Sequence, residues 1–435
     1  MFLSLTTRYL HQKLTTINIK NKYDVVVIGG GIIGTAVARK FLLECPGQDI
    51  CLLEKECSLA KHQSSHNSGV MHCGVFYKPN SLKANLCVEG IELLKKYCDD
   101  KNIQYQRSGK VVIAPDLCQV NVLCKLYEQG QDNKVRGLQL LESQREIRKY
   151  SPSCKGEKAL WCPDTANVNF REVTEHLADD FIHSGGNLVF NYKVVDIKQS
   201  EDSCFPICLC VSERPPLFAK YVVVCGGLHS ETLSDMLEVK NSIKHQQFLI
   251  LKVNYQEIDS KYCENLQTNV YGVPDLELPF LGAHFSPQIK GTILLGPSAV
   301  PALKVEGYCN DEVSLSHLSK MVFSCNVRNM VVRNFSQCIN QLCHTLNTDI
   351  QIKYLQQFIP NFSYQYVIKG PTAVQCQLLN SDGTFVDDYI FNFFNGNGIG
   401  KRIINLKYTP SPAATSCLSI ADYVYKKFTE CYTDL

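Results

Sequence analysis

The feature that most constrains the fold of this chain is an apolar segment followed at once by a glycine-rich turn. Residues 23–28 have the composition of a buried parallel strand. The turn has the spacing G-x-G-x-x-G, with its glycines at Gly29, Gly31 and Gly34. Apolar side chains then recur every four residues, which predicts a helix that ends before residue 46. The sequence therefore predicts a strand, a tight turn and a helix in direct succession.

Glu54 completes a βαβ unit, because it follows a second predicted strand, residues 50–53, and lies 20 residues beyond the last glycine. In such a unit Gly29 permits the tight turn, Gly31 leaves room for a pyrophosphate, and Gly34 lets the helix pack closely on the strand. The free N–H groups and the dipole of the helix N-terminus favour the negative pyrophosphate, and the carboxylate binds an adenosine ribose. The unit predicts dinucleotide binding, and the alternative is an accidental glycine turn after an apolar strand.

The segment after Glu54 indicates which dinucleotide is bound. Residues 60–74 are polar, small and rich in histidine. A nicotinamide enzyme usually continues at this point with another βα repeat, whereas a flavin protein needs a loop that wraps the middle of FAD. We therefore predict FAD, held without a covalent link because no histidine is clearly placed for attachment.

Composition excludes several classes of function. The chain has 435 residues, which exceeds the usual size of a single domain, so two or three domains are expected. Its net charge is +2 and it has no long basic run, which argues against nucleic acid as a partner. The 22 cysteines are scattered without a Cys-x-x-Cys pair. We therefore expect buried thiols in a reducing compartment and no metal site.

Residues 1–22 resemble a mitochondrial presequence, since they carry basic residues, no acid, several Ser and Thr, and apolar residues at helical spacing. A disordered basic tail is the alternative. The longest uncharged apolar stretch elsewhere, residues 25–38, has 14 residues and is too short to span a membrane. The sequence leaves peripheral contact with a membrane open.

Several further segments carry a more specific signal. They are His62-Gln63 and residues 66–74, 77–79, 81–84, 86–88, 225–228, 271–275, 279–282, 295–297 and 410–416. Together with the glycine turn, they resemble the FAD-dependent L-2-hydroxyglutarate dehydrogenase family, within the D-amino-acid-oxidase-like flavoproteins, over about residues 23–425. The resemblance implies an α/β fold: a Rossmann-like FAD-binding domain with a second α+β substrate domain built on an antiparallel sheet.

We expect the FAD-binding domain to be discontinuous, with residues 23–105, 150–240 and 370–435, and the substrate domain to contain residues 106–149 and 241–369. The hydrophobic periodicity of the sequence supports part of this architecture. It predicts a helix around residues 173–181, strands near 188–190 and 221–224, and a substrate-side antiparallel sheet over residues 246–300, where short β-rich runs alternate with Pro and Gly turns. Ser411 and Pro412 are expected to begin a final helix whose N-terminus points at the flavin.

The cofactor contacts are assigned mainly to the loop after Glu54 and to later glycines. Besides the βαβ residues, they are His62, Ser65, Asn67, Ser68 and Gly69 in the loop, Gly226 and Gly227 after a buried strand, and Gly398 and Gly400 in a glycine-rich turn. The resemblance also implies that Val194 lies beside the adenine.

The resemblance also implies the chemistry. A hydride leaves C2 of a 2-hydroxy acid for flavin N5, while a base takes the hydroxyl proton and cations hold the carboxylates. His72 is the preferred base, because imidazole titrates near neutrality, and His66 is the second choice. The alternative for either is a histidine that only hydrogen-bonds the FAD loop.

The presumed substrate positions depart from the family pattern. A family arginine is replaced by Gln375, with Lys369 as the preceding basic position, and an arginine-glycine-acid triplet is replaced by residues that begin at His245, whereas Arg402 remains as a candidate cation. Arginine binds a carboxylate through two parallel hydrogen bonds, which glutamine cannot reproduce.

The leading prediction is oxidation of L-2-hydroxyglutarate or a similar 2-hydroxy acid, with an unidentified electron acceptor. The alternatives are an FAD-binding homologue with weak or lost activity and a related amine or amino-acid oxidase.

Overall fold

A computed structural model describes residues 20–236, 246–262, 266–274, 282–309, 311–362, 364–393 and 398–432. Within these ranges the chain forms two eight-stranded sheets and one sheet of three short strands. The small sheet contains β3 (Val70–Met71), β4 (Tyr105–Gln106) and β8 (Ala166–Val168). Among the described helices, none combines the length and the apolar character that a membrane span requires.

The first large sheet contains the predicted βαβ unit. Its strands are β1 (Lys22–Ile28), β2 (Ile50–Leu53), β9 (Asn187–Val189), β10 (Asp196–Gln199), β11 (Ile207–Cys210), β12 (Leu217–Val224), β18 (Ile390–Phe393) and β19 (Ile403–Tyr408). They lie in the order β10-β11-β12-β1-β2-β9, and β19 pairs with β12 and β18. Because β1 runs parallel to β2 and β12, the carboxyl ends of these strands meet at one edge, where ligands bind in open α/β sheets.

Eleven described helices surround the sheets. They are α1 (Ile32–Glu44), α2 (Leu82–Lys101), α3 (Leu117–Asp132), α4 (Gln144–Tyr150), α5 (Phe170–His183), α6 (Ser230–Met236), α7 (Leu315–Phe323), α8 (Cys325–Arg333), α9 (Phe335–Leu346), α10 (Thr348–Gln356) and α11 (Cys417–Cys431). α1, α5 and α11 pack together because Phe41, Phe181 and Phe428 are buried in one apolar cluster. The predicted helices at α1 and α5 are confirmed.

The prediction that the last helix starts at Ser411 and Pro412 is wrong. Residues 411–416 form consecutive turns, and α11 begins at Cys417. Within the turns, the Ala413 N–H donates to the Pro410 carbonyl at 3.0 Å. The turn segment therefore satisfies part of its own backbone without adopting a helix.

The second large sheet is mainly antiparallel, as predicted. Its strands are β5 (Lys110–Ala114), β6 (Gln139–Leu141), β7 (Lys158–Cys162), β13 (Gln247–Asp259), β14 (Asn269–Gly272), β15 (His284–Pro287), β16 (Thr292–Pro301) and β17 (Ile368–Leu379). Their order is β17-β13-β16-β15-β14-β5-β7-β6, and the pairing of β14 with β5 is parallel.

The two sheets do not divide at the predicted domain ranges. β7 lies within residues 150–240, and most of β17 lies within residues 370–435, yet both strands pair in the second sheet. β17 pairs with β13 over almost its whole length, and local sequence gives no sign of that distant partner. Apart from these two strands, the domain ranges stay a prediction.

Candidate active site

The glycine turn has the geometry that a pyrophosphate needs. Gly29 adopts a φ of +113°, and a Cβ added to Gly34 would lie 1.9 Å from the Gly29 carbonyl oxygen, so neither position accepts a side chain. Gly31 differs, because an added Cβ there would meet only Ser64 Oγ, at 3.1 Å. The Ile32 N–H at the start of α1 donates to the same Oγ at 2.9 Å.

Glu54 lies where the sequence predicts an acid. It is buried, its Oε2 accepts the Gly30 N–H at 2.7 Å, and its Oε1 accepts the Glu56 N–H at 2.8 Å. Each carboxylate oxygen can accept a further hydrogen bond. Glu54 therefore fixes the turn and can still accept hydrogen bonds from a ribose.

Two adjoining cavities extend from the turn. The adenosine-side cavity is lined by the predicted residues Gly29, Gly31, Glu54, His62, Val194, Gly226 and Gly227. The flavin-side cavity is lined by the predicted residues Gly31, Gly34, His66, Asn67, Ser68, His72 and Gln375. Both cavities share Gly31 and Ser64, so they meet at the N-terminus of α1. An elongated cleft that passes the open side of Gly31, with Glu54 on one side, fits FAD.

The loop after Glu54 is organised by Asn67. Its Nδ2 donates to the carbonyl oxygens of Gln63 at 3.0 Å and Ser64 at 2.9 Å, and its Oδ1 accepts the Gly69 N–H at 2.9 Å. Gly69 lines neither cavity and has a φ of +71°. Gly69 therefore allows the loop to turn and does not line the cleft.

Ser65 does not line either cavity, although it was predicted to contact the cofactor. Its Oγ hydrogen-bonds His66 Nδ1 at 3.1 Å. The neighbouring Ser64 and Gln63 line both cavities instead. The sequence identifies the polar loop but not which of the adjacent serines, Ser64 or Ser65, faces the cleft.

His72, the preferred base, lies in the wall of the flavin-side cavity and is almost fully buried. Its backbone N–H donates to Thr415 Oγ1 at 3.1 Å, and its Nδ1 has no hydrogen-bond partner among the described residues. Burial, together with the nearby Lys110 and His284, lowers the pKa of His72 to about 3, and burial is the largest of these causes. The imidazole is therefore uncharged at neutral pH, as a base must be.

His66 lines the same cavity in a different setting. Its Nδ1 hydrogen-bonds the His62 carbonyl oxygen at 3.0 Å, and its ring centroid lies 4.7 Å from that of Tyr308. Nδ1 therefore donates to the loop, which leaves Nε2 as the acceptor nitrogen of an uncharged His66.

The structure brings Gln375 into the site but not the other candidate substrate residues that it describes. Lys369 is exposed on β17 and lines neither cavity. The Arg402 guanidinium lies over the Tyr221 ring, 5.1 Å from its centroid, also outside both cavities. Gly398 and Gly400 belong to a short 3-10 helix, Gly398–Arg402, and line neither cavity. His245 lies outside the described residues.

Residues from two distant strands also line the flavin-side cavity and were missed by sequence reasoning. They are Val253 and Tyr255 on β13 and Ala373 on β17. The turn residues Ser411 to Thr415 line the cavity as well, and the sequence had placed Ser411 and Pro412 near the flavin, although in a helix. Burial raises the pKa of Tyr255 to about 12, so its hydroxyl stays protonated. Of the described residues that line this cavity, none is a lysine or an arginine.

An ionic cluster borders the adenosine-side cavity. Glu306 Oε1 lies 2.8 Å from Lys55 Nζ, 2.9 Å from His229 Nε2 and 3.2 Å from His62 Nε2, and Glu56 pairs with both Lys55 and His62. In the described part of the chain, Glu56, His62 and Glu306 are the one group with the spacing of metal ligands. The Lys55 ammonium contacts both carboxylates, so the cluster is already balanced by a cation.

Comparison with known proteins identifies the family. The family model described as FAD dependent oxidoreductase matches residues 24–342. The mitochondrial L-2-hydroxyglutarate dehydrogenase of Nematostella vectensis is 36% identical over 428 residues, which cover 96% of this chain and 93% of that protein. This chain belongs to the L-2-hydroxyglutarate dehydrogenase family. The human protein of the same name is 37% identical over 420 residues, which cover 94% of this chain and 90% of the human protein. The family resemblance and the FAD cofactor predicted from sequence are confirmed.

Solved structures with the same fold support the domain architecture of the family. FAD-bound L-α-glycerophosphate oxidase from Mycoplasma pneumoniae has a TM-score of 0.71 at 19% identity, and the match covers 94% of each chain. Glycine oxidase from Geobacillus kaustophilus has a TM-score of 0.68 at 15% identity, with the same coverage. At these identities the likeness concerns the fold alone. It confirms the predicted Rossmann-like FAD-binding domain with a second domain.

Proposed function

We propose that this protein oxidises L-2-hydroxyglutarate to the 2-oxo acid. The observation that carries the proposal is the match to relatives of that name over more than nine-tenths of the chain. The uncharged His72 in the wall of the flavin-side cavity gives the proposal a candidate base. A mitochondrial location, predicted from residues 1–22, agrees with the names of the same relatives.

The residues of the cleft have separate tasks in this proposal. When bound, FAD supplies the acceptor for the hydride. Gly29, Gly31 and Gly34 would hold its pyrophosphate at the start of α1, and Glu54 would hold its ribose. Val194 and the Gly226-Gly227 pair would border the adenosine.

His72 accepts the hydroxyl proton of the substrate in this mechanism, because it is uncharged and its Nδ1 has no partner among the described residues. We expect His72→Gln to retain FAD and to slow reduction of the flavin by about 100-fold or more. His66→Gln is the matched comparison, and a smaller effect is expected from it because this proposal assigns the hydroxyl proton to His72. Equal effects of the two variants would contradict the assignment.

Substrate recognition is assigned to polar groups that line the cavity. Gln375 and Tyr255 project from neighbouring strands, and Asn67, Ser68 and His66 line the loop side. Gln375, Tyr255 and Ser68 can donate hydrogen bonds to a carboxylate. The side-chain N–H groups of Asn67 and uncharged His66 already donate to loop carbonyl oxygens. None of these groups carries a fixed positive charge. Lys369 and Arg402 lie outside the cavity, so their direct contact with substrate would require a rearrangement.

Anaerobic addition of candidate substrates to the purified yellow protein tests the function. L-2-Hydroxyglutarate is expected to bleach the flavin absorbance, and the D-enantiomer serves as the matched control. Bleaching by amines or amino acids alone would favour the oxidase alternative. A yellow protein that no candidate bleaches would favour the homologue without activity.

We infer in addition that helices α7 to α9 contact a membrane surface, where an electron acceptor would be available. Large apolar side chains on these helices are exposed, among them Leu315, Phe323, Val332 and Leu346. Residues 313–348 contain Lys320, Arg328 and Arg333 but no acid. A basic surface with exposed apolar side chains fits the interface of an anionic bilayer.

Vesicle flotation tests the membrane inference. We expect binding to vesicles with anionic lipid, weaker binding to zwitterionic vesicles, and loss of binding when Phe323 and Val332 are both replaced by serine. Flavin bleaching by L-2-hydroxyglutarate should persist in that variant, since both residues lie outside the cleft. Binding that is indifferent to lipid charge and to these substitutions would contradict the inference.

A further inference from the structure

The adenosine-side cavity has two walls that follow different strands of the first sheet. Lys55 and His62 follow β2 and form part of one wall, whereas His229 follows β12 and belongs to the other. The strand order β12-β1-β2 puts β1, and with it the turn at Gly29, between the two walls. The adenosine half of FAD would therefore lie between Lys55 and His62 on one side and His229 on the other.

Glu306 joins these two walls. Its Oε1 lies 2.8 Å from Lys55 Nζ and 3.2 Å from His62 Nε2 on one wall, and 2.9 Å from His229 Nε2 on the other. Glu306 itself lines the cavity, so these contacts, which we call the Glu306 bridge, border the space assigned to the adenosine. The four side chains are only 23–32% exposed, so solvent and salt weaken the bridge less than they would on an open surface.

The segment that carries Glu306 belongs to neither wall. Residues 302–309 directly follow β16 of the second sheet. The first N–H of this segment donates to the Ile250 carbonyl oxygen on β13 at 2.9 Å, which ties the segment to that sheet. Further along, Tyr308 Oη hydrogen-bonds His62 Nδ1 at 3.1 Å. The segment therefore contacts both ring nitrogens of His62, and it crosses from the second sheet to the cofactor cleft of the first.

We propose that Glu306 is a positioning residue for FAD: acting through Lys55, His62 and His229, it holds the two walls of the adenosine-side cavity together, and the cofactor enters and leaves when this bridge opens. A carboxylate suits the task because its oxygens accept hydrogen bonds from donors on both walls. The proposal concerns the cofactor, so it does not depend on which acid the protein oxidises.

The kinetics of FAD binding distinguish a bridge that closes the cavity from a residue that only stabilises the loaded protein. Loss of a stabilising contact speeds dissociation of FAD and leaves its association unchanged or slower. Loss of a closing bridge removes a barrier that FAD crosses in both directions, so dissociation and association both become faster.

Exchange of bound FAD for isotope-labelled FAD measures dissociation from the loaded protein, and rebinding of FAD to the full-length protein after removal of flavin measures association. We expect Glu306→Gln, which keeps the shape of the side chain without its charge, to speed exchange about tenfold or more and rebinding about threefold or more. Glu312→Gln is the matched control, because Glu312 pairs with Lys304 of the same segment but lines neither cavity. It should change either rate by less than about twofold.

His229→Leu tests the second wall, and it takes the place of Glu306→Gln if that variant does not retain FAD. His229 Nε2 hydrogen-bonds Glu306 Oε1, so each substitution breaks the same contact between the walls. We expect His229→Leu to speed both rates as well. The double variant should exchange FAD less than about twofold faster than the faster single variant, because the bridge is already broken.

The outcomes decide the role of Glu306. The proposal is wrong if Glu306→Gln speeds dissociation alone, if Glu312→Gln changes both rates as much, or if neither rate changes. It is also wrong if the effects of the substitutions at Glu306 and His229 multiply in the double variant. Rates that rise together in Glu306→Gln, with His229→Leu adding little, would support it.

Discussion

At the residue scale, Gly34 is the position where the cofactor turn tolerates least change. A Cβ at residue 34 would lie 1.9 Å from the Gly29 carbonyl oxygen, and backbone atoms cannot move aside cheaply. We expect Gly34→Ala to cost more than about 3 kcal/mol of unfolding free energy, because α1 must separate from β1. Urea denaturation and the ratio of flavin to protein absorbance measure the loss of stability and of FAD.

Gly31→Ala is the matched control for that prediction. Gly31 has a φ of −76°, which alanine adopts freely, and its added Cβ would meet only Ser64 Oγ. This variant should fold with nearly unchanged stability in the absence of FAD but lose affinity for the cofactor. Similar losses of stability in both variants would show that the clash at residue 34 is not the deciding factor.

Ser64 and Ser65 show how far residue-level prediction reaches. The loop composition predicts a polar segment against FAD, and Asn67 and Ser68 of that segment line the flavin-side cavity. Two adjacent serines are indistinguishable by composition, and their orientation depends on the turn that Asn67 fixes through three hydrogen bonds. The geometry of the loop therefore determines which serine faces the cleft, and the spacing of residues in the sequence does not predict that geometry.

At the element scale, Glu306 joins the segment between β16 and α7 to the loop after Glu54, because it contacts Lys55 and His62. Burial acts to raise the pKa of Glu306, but hydrogen bonds from His229 and Lys55 and the nearby charge of His62 outweigh it and lower the pKa to about 2. A carboxyl group with a lowered pKa in the folded state stabilises the fold above its unfolded pKa, which is 4.5 here. That contribution is lost as the pH falls from about 4.5 to about 2.

We expect the free energy of unfolding of the wild type to fall more steeply across this pH range than that of Glu306→Gln. The amide keeps the shape of the side chain but cannot titrate. Urea denaturation at several values between pH 5 and pH 2.5 measures how the free energy of unfolding of each protein changes with pH, and Glu213→Gln, at an exposed site, serves as the control. Parallel slopes for the wild type and Glu306→Gln would contradict the assigned role.

The start of α11 shows where an element-level rule fails. Ser411 followed by Pro412 matches the preferred start of a helix, yet the helix begins six residues later. Residues from Ser411 to Thr415 line the flavin-side cavity instead, and the Thr415 hydroxyl accepts the His72 N–H. The contacts of this segment with the residues around the cleft therefore outweigh the local sequence pattern that favours a helix start.

At the scale of the whole molecule, predictability follows sequence separation. The βαβ unit is confirmed because its strand, turn, helix and acid lie within about 30 residues of one another. The flavin-side cavity instead depends on the pairing of β13 with β17, whose partners Leu251 and Gln375 are distant in sequence. Alternation within one strand does not reveal which strand lies beside it.

Phe428 packs α11, near the end of the chain, against α1 and β12 of the FAD-binding domain in one core. This side chain on α11 is 1% exposed, and its ring centroid lies 4.9 Å from that of Phe41 on α1 and 5.1 Å from that of Tyr221 on β12. We expect Phe428→Ala to cost about 3–5 kcal/mol of unfolding free energy and to reduce FAD retention, because α1 carries the pyrophosphate site. Phe323→Ala is the matched control, since Phe323 is 78% exposed and its loss should change stability by less than about 0.5 kcal/mol. Urea denaturation of the FAD-loaded proteins compares the two, and a small effect at Phe428 would mean that α11 is not needed to support α1.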